Sequence, residues 1–163
     1  MVIACVSDTH LPAGRSLPET LLAALRDLRP DHILHAGDLV DGGVLEQLEG
    51  IAPTTAVAGN LDPGYLVARL GRTRLLDLAG VTVGLTHGDR GIGTSTADRA
   101  ASLSPEAAVV VFGHSHQPLC ERRGVRLLLN PGSPTQPRMA RHPSFGVLRI
   151  GEEGRVEGEI VRL

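Results

Sequence analysis

Five short apolar runs in this chain end in residues able to bind cations or move protons. "VIACVS" runs into Asp8 and His10, "HILHA" into Gly37 and Asp38, and "TTAVA" into Gly59 and Asn60. "TVGLT" runs into His87 and Gly88, and "AAVVVF" into Gly113, His114 and His116. Two carboxylates, a carboxamide and four imidazoles make a mixed oxygen and nitrogen donor set. Such a set suits Mn²⁺, Fe, Zn²⁺ or Ni²⁺ better than Ca²⁺ or Mg²⁺, which prefer all-oxygen shells. Seven donors are too many for one tetrahedral ion. They match two ions sharing a carboxylate, ~3.5–4 Å apart as in dinuclear hydrolases. Taken singly, "GD" and "GN" are turn signals, and a histidine beside a strand is an ordinary structural residue. The repetition at five strand exits is what argues for one metal nest.

To bring these residues together, the runs must be strands whose carboxyl ends share an edge, the place where α/β sheets bind ligands. The pattern predicts strand 1 over residues 2–7 and a helix over 18–29, preceded by Ser16 and a Leu17 staple and ended by Pro30. The strand "HILHA", a short helix near 44–49 and the strand "TTAVA" follow. This β-α-β-α-β opening implies parallel pairing through helical crossovers. From Thr73 the pattern changes to a hairpin around Ala79–Gly80, a helix over about 95–103 and the buried run "AAVVVF". Hairpins around Gly124 and over the tail "SFGVLRIGEEGRVEGEIVRL" complete the chain, the last one with alternating sides. The expected fold class is α/β, with two sheets, in one domain spanning residues 1–163. Glycines at 37, 59, 88 and 113 are expected to let backbone and side chains crowd the site.

The composition narrows the class of function. A chain of 163 residues fits one domain, and with 2% aromatics and no Trp its core must be aliphatic. The formal net charge is −2, every cation is Arg, and no basic block exists, so stable nucleic-acid binding is not expected. No run approaches the ~20 apolar residues of a membrane span, and Met1 leads directly into "VIACV" without a charged leader, so a cytoplasmic location is expected. Cys5 and Cys120 follow no CxxC spacing, and Cys5 reads as a buried free thiol.

The segments "DTH", "GD", "GN", "THG" and "GHSH", with "NPGSPTQPR" at residues 130–138, resemble the calcineurin-like metallophosphoesterase superfamily. The resemblance is nearest to its small bacterial and archaeal phosphodiesterases, relatives of the retromer subunit Vps29, and it covers nearly the whole chain. It implies two packed mixed β-sheets flanked by helices. It also implies a first metal on Asp8, His10, Asp38 and His116 and a second on Asp38, Asn60, His87 and His114, with Asp38 as the bridge. Asp38, Asn60 and His114 are then the residues expected to carry catalysis. The sequence departs from relatives twice: Leu61 follows "GN" where the phosphoprotein phosphatases place a proton-donating His, and "HGDR" puts Asp89 where small relatives usually show a second His.

The expected activity is hydrolysis of a small phosphodiester by an activated water, supported by two divalent transition-metal ions, with Mn²⁺ favoured and Fe, Ni or Zn suitable. Arg138 and Arg90 are candidates for binding the anionic substrate, with Arg15 a further one, since the guanidinium fork suits phosphate. Ser7 and Ser115 read as supports rather than nucleophiles. His32 and His35 read as structural, with His35 close enough to Asp38 to support it, and His142 reads as exposed. Two alternatives are a non-catalytic Vps29-like scaffold for partner proteins and a phosphomonoesterase acting on a nucleotide or phosphoprotein. The oligomeric state stays open, the C-terminal hairpin offering an edge through which copies could pair.

Overall fold

The structure, a computed structural model, describes residues 1–163. The opening segments form β1 (Val2–Val6), α1 (Glu19–Leu28), β2 (His32–His35), α2 (Gly43–Glu49), β3 (Thr54–Ala56) and α3 (Gly64–Leu70). The second half forms β4 (Thr73–Leu78), β5 (Val81–Thr86), α4 (Thr96–Ser102) and β6 (Val109–Val111). It closes with β7 (Leu119–Arg123), β8 (Arg126–Asn130), β9 (Ser144–Ile150) and β10 (Val156–Arg162). Two mixed five-stranded sheets result, ordered β10-β9-β1-β2-β3 and β4-β5-β6-β8-β7. Strands β1, β2 and β3 are mutually parallel in the first sheet, as are β5, β6 and β8 in the second.

The period of two along each central strand divides its side chains between two cores. Ile3 and Cys5 of β1 meet Val83, Leu85, Val109, Val111, Leu127 and Leu129 in the layer between the sheets. Ala4 and Val6 face the other way, into the layer under α1, α2 and α3 with Leu21, Leu25, Leu48 and Leu66. Val110, Leu128 and Phe112 likewise turn outward beneath α4. Burial on both faces explains the unbroken apolar runs of the central strands. It also corrects the expectation of alternating sides for the last hairpin. Strand β9 is buried at six of its seven residues because it lies between β1 and β10, and only the edge strand β10 alternates.

Two local expectations change. Helix α1 starts from Pro18 without a side-chain cap, so Ser16 does not cap it, while Leu17 is buried in the helix-side core. Helix α3 was not expected from the sequence. Leu66 and Leu70 bury one face of it, Pro63 precedes it and Gly71 ends it, but its seven residues are too few for periodicity to stand out. Helix α4 carries a full capping box, Ser95 accepting from the Asp98 amide while the Asp98 carboxylate accepts from the Ser95 amide. Cys5 is buried and Cys120 exposed, both as free thiols. No helix is long and apolar enough to cross a membrane.

Candidate metal centre

The parallel strands of both sheets discharge their carboxyl ends onto one edge, and the seven candidate donors gather there. Asp8 and His10 follow β1, Asp38 follows β2, and Asn60 follows β3. His87 follows β5, and His114 and His116 follow β6. Five of the seven, Asp8, His10, Asp38, His114 and His116, hold positive φ angles of 46° to 68°. Left-handed backbone is uncommon outside glycine, though Asp and His tolerate it better than most, and its concentration here marks a site held by its surroundings. Each tight reversal turns a side chain back over the strand end.

Each carboxylate spends one oxygen on anchoring and presents the other to the nest. Asp8 Oδ2 accepts from Ser7 Oγ at 2.7 Å and from the His114 amide at 3.0 Å. Asp8 Oδ1 is buried and has no hydrogen-bond partner. It lies 3.3 Å from His116 Nε2 and 3.7 Å from His10 Nε2. Asp38 Oδ1 accepts from the Leu61 amide at 2.8 Å, leaving Oδ2 3.3 Å from His87 Nε2 and 3.7 Å from His10 Nε2. Asn60 Oδ1 sits between His87 Nε2 at 3.1 Å and His114 Nδ1 at 3.0 Å.

The imidazoles are oriented from behind. His87 Nδ1 lies 2.8 Å from the Ala36 carbonyl and His116 Nδ1 lies 2.5 Å from the Gln136 carbonyl. A carbonyl oxygen can only accept, so both Nδ1 atoms carry hydrogen, and each ring turns its Nε2 inward. Such backing is the usual way a protein fixes a metal-binding histidine. His10 Nε2 stands 3.0 Å from His116 Nε2, the two rings stacked at 4.9 Å. In the chain alone one of these nitrogens can donate to the other, and beside an unpartnered carboxylate oxygen the pair also converges as ligands for a cation. The donor atoms of Asp8, His10 and His116 lie within 4.8 Å of one another, as do those of Asp8, Asp38 and His87. Asp8 therefore stands between the two halves of the nest alongside Asp38. The residues present fit divalent cations of the transition series.

Burial works against charge throughout the nest, and neighbouring charges decide the outcome. Burial would raise Asp8 and Asp38, yet the nearby His10 and His87 imidazoles and the Ser7 hydroxyl for the first, and His87 and the Leu61 amide for the second, hold both below the ordinary carboxylate range. Burial disfavours a charged His87, but its bond to Asp38 and the charges of Asp8 and Asp38 leave it more basic than usual. His114 is made less basic by burial and by His87. For His116 burial lowers the pKa, and Arg138 pushes the same way against the Gln136 carbonyl and Asp8.

The remaining sequence candidates lie at the rim. Arg138 is exposed, with its own positive φ of 51°, and its charge reaches His116. Arg90 is exposed and stands 3.6 Å from Asp89. Asp89 also faces Arg72 at 3.9 Å, while Arg72 binds the Gly59 carbonyl. Arg15 lines a separate depression with Asp41, Glu46 and Tyr65. Ser115 accepts from Asn130 Nδ2, and His142 is exposed. His35 is buried behind the nest, bonded to Thr9 and the Gly37 amide.

Reading the sequence missed the supports. Asp62 accepts from the amides of Asp38, Val40 and Gly59 at 3.0, 2.6 and 2.8 Å, and so staples the loop after β2 to the loop after β3. Burial, joined by the Asp38 charge, raises its pKa against those three amides. Ser133 and Thr135, after β8, bind the Asp8 carbonyl, and Thr135 also holds the Thr9 carbonyl at 2.8 Å. The signal for this second group was available, because "NPGSPT" leaves a sixth strand end on the same edge.

The calcineurin-like phosphoesterase superfamily domain matches residues 1–153 of the chain. The chain is similar to a probable metallophosphoesterase of Methanothermobacter thermautotrophicus, 42% identical over an alignment of 164 positions that covers 99% of this chain and 92% of that protein. Its fold is similar to that of zinc-complexed Vps29 from Entamoeba histolytica, with a TM-score of 0.76, 23% identity and 99% of each chain covered. It is also similar to a structure described as a novel archaeal phosphodiesterase, with a TM-score of 0.68, 21% identity, and 99% of this chain and 100% of that one covered.

Proposed function

The chain belongs to the calcineurin-like phosphoesterase superfamily, and from that premise we propose that it hydrolyses a small phosphodiester. In this reading Asp8, His10, Asp38 and His116 hold one divalent ion, and Asp38, Asn60, His87 and His114 hold a second. Mn²⁺ is the favoured ion and Fe, Ni or Zn suit the same donors. The observation that carries the reading is Asp8 Oδ1, buried without a hydrogen-bond partner and aimed at His116 Nε2. A buried anionic oxygen left bare is costly in the absence of a positive partner.

The chemistry that divalent cations supply in such a nest is polarisation of phosphoryl oxygens and acidification of a shared water. The chain's own residues position and select. The Ala36 and Gln136 carbonyls keep His87 and His116 in the tautomer whose Nε2 faces inward. Leu61 holds Asp38 Oδ1 through its amide, so the Asp38 carboxylate cannot rotate out of the nest. Leu61 also sets the leaving-group preference. Its side chain is exposed beside the nest and has no proton to give, so good leaving groups such as aryl oxides are favoured. A diester carries less charge than a monoester, in keeping with a rim whose cations, Arg138, Arg90 and Arg72 among them, are scattered.

The test is a Mn²⁺-supplemented assay comparing bis(p-nitrophenyl) phosphate with p-nitrophenyl phosphate. The diester is expected to be the better substrate by about tenfold or more in kcat/KM, a difference of roughly 1.4 kcal/mol in transition-state stabilisation. Preference for the monoester contradicts the diester assignment. Turnover of neither ester with Mn²⁺, Ni²⁺ or Fe²⁺ removes the catalytic reading in favour of a binding scaffold.

A further inference from the structure

A groove of about 710 Å³ opens beside the nest, and no carboxylate lines it. Its walls include Gln117, Met139, Arg141, His142, Ile160 and Arg162. Gln117 is the residue after His116. Ser144, on the floor, donates through its hydroxyl to the Pro131 carbonyl and through its amide to the Ser133 carbonyl, while Ser133 Oγ holds the Asp8 carbonyl at 2.7 Å. The wall of the nest is therefore also the floor of the groove. The segment that forms one side of the groove, residues 139–142, follows Arg138 and the Gln136 carbonyl that orients His116.

Arg141 and Arg162 come from distant parts of the chain and line this groove together, both exposed. Neither forms an ion pair or a hydrogen bond with the protein, whereas Arg26, Arg123, Arg149 and Arg155 each bind a carboxylate. Two unspent guanidinium forks in a concave site without acids have the chemistry of a phosphate receptor. Met139 and Ile160 supply an apolar surface for whatever links that phosphate to the reacting group.

We propose that this groove binds a second, terminal phosphate on the substrate, so that the preferred diester carries an additional phosphomonoester. The proposal rests on the phosphodiesterase reading and assigns its substrate class. Arg141 and Arg162 clamp the terminal phosphate while the scissile diester lies over the nest.

Two chromogenic diesters test it: thymidine 5′-(p-nitrophenyl phosphate), and the same compound with an added 3′-phosphate. Both release p-nitrophenolate from the same scissile bond. The 3′-phosphorylated compound is expected to have about a tenfold higher kcat/KM, chiefly through a lower KM, as one or two charge-assisted contacts supply. Arg141→Gln and Arg162→Gln are each expected to bring that ratio toward one. In the unaltered protein the ratio should also shrink as salt rises from about 50 to about 500 mM, because exposed charges are screened. Equal rates on the two diesters in the unaltered protein overturn the groove assignment and leave the diesterase reading standing. A ratio that survives both substitutions also overturns it. Turnover of neither compound overturns both.

Discussion

His35 and His87 are both buried beside aspartates, and their surroundings give them opposite tendencies. His87 faces Asp38 at 3.3 Å and is made more basic, while His35 meets only a hydroxyl and an amide. The Gly37 amide donates to His35 Nδ1, so the hydrogen sits on Nε2 toward Thr9 and the ring is neutral. Burial pushes its pKa down to about 3 from 6.5, against the pull of Asp8 and Asp38. Above about pH 6.5 the ring is neutral in both folded and unfolded chain and contributes no pH dependence. Below that value the unfolded chain takes up a proton the folded chain refuses, so this residue removes about 1.4 kcal/mol of stability per pH unit down to about pH 3. Urea titrations at several pH values between about 7 and 4 should show stability falling less steeply for His35→Gln than for the unaltered chain. Parallel slopes would contradict this assignment. The sequence placed His35 near Asp38, but its neutrality depends on a Gly37 amide and a burial that no spacing discloses.

The loops that leave the strands are as much built as the strands themselves. Gly113 ends β6 directly against the loop after β1, where an added Cβ would stand 1.8 Å from Ser7 Oγ and 2.5 Å from Asp8 Oδ2. Gly59 is as crowded, with an added Cβ only 2.3 Å from Asp38 Oδ1. Gly113→Ala must therefore displace Ser7 and the Asp8 carboxylate together. Overpacking of this kind lowers stability by about 1–3 kcal/mol, and loss of ligand support weakens metal affinity by about 10–100-fold. Thermal melts with and without Mn²⁺, together with calorimetric titration, check both effects, and an unchanged Mn²⁺ affinity would contradict the role given to Gly113. These glycines were legible in the sequence because each stands at a strand exit beside a polar residue. Helix α3 and the Asp62 staple were not legible. The helix is too short to show its period, and an aspartate in a "GNLDPG" turn looks like turn chemistry until its three amide partners are seen.

Across the whole molecule, the two sheets are arranged so that parallel strands from each end on the same rim. The β-α-β opening and the doubly buried runs made the class of fold readable, because burial on both faces leaves an unbroken apolar pattern. The hairpin partners β4–β5, β7–β8 and β9–β10 and the parallel opening were readable, but how these pieces join into sheets was not. The order β6-β8-β7, and the insertion of β9 between β10 and β1, depend on long-range pairing that local pattern does not encode. Convergence of the donors could nevertheless be inferred, since it requires only that strand ends share an edge. The function proposed above requires this shared edge to hold two divalent ions close enough to interact. Electron paramagnetic resonance of the chain titrated with Mn²⁺ tests it most directly, with Asp38→Asn as the comparison. The account predicts saturation at about two Mn²⁺ per chain with the multiline spectrum of an exchange-coupled pair, and loss of that coupling in Asp38→Asn. Saturation at a single equivalent, uncoupled Mn²⁺ at saturation, or a coupled pair that survives Asp38→Asn would contradict it.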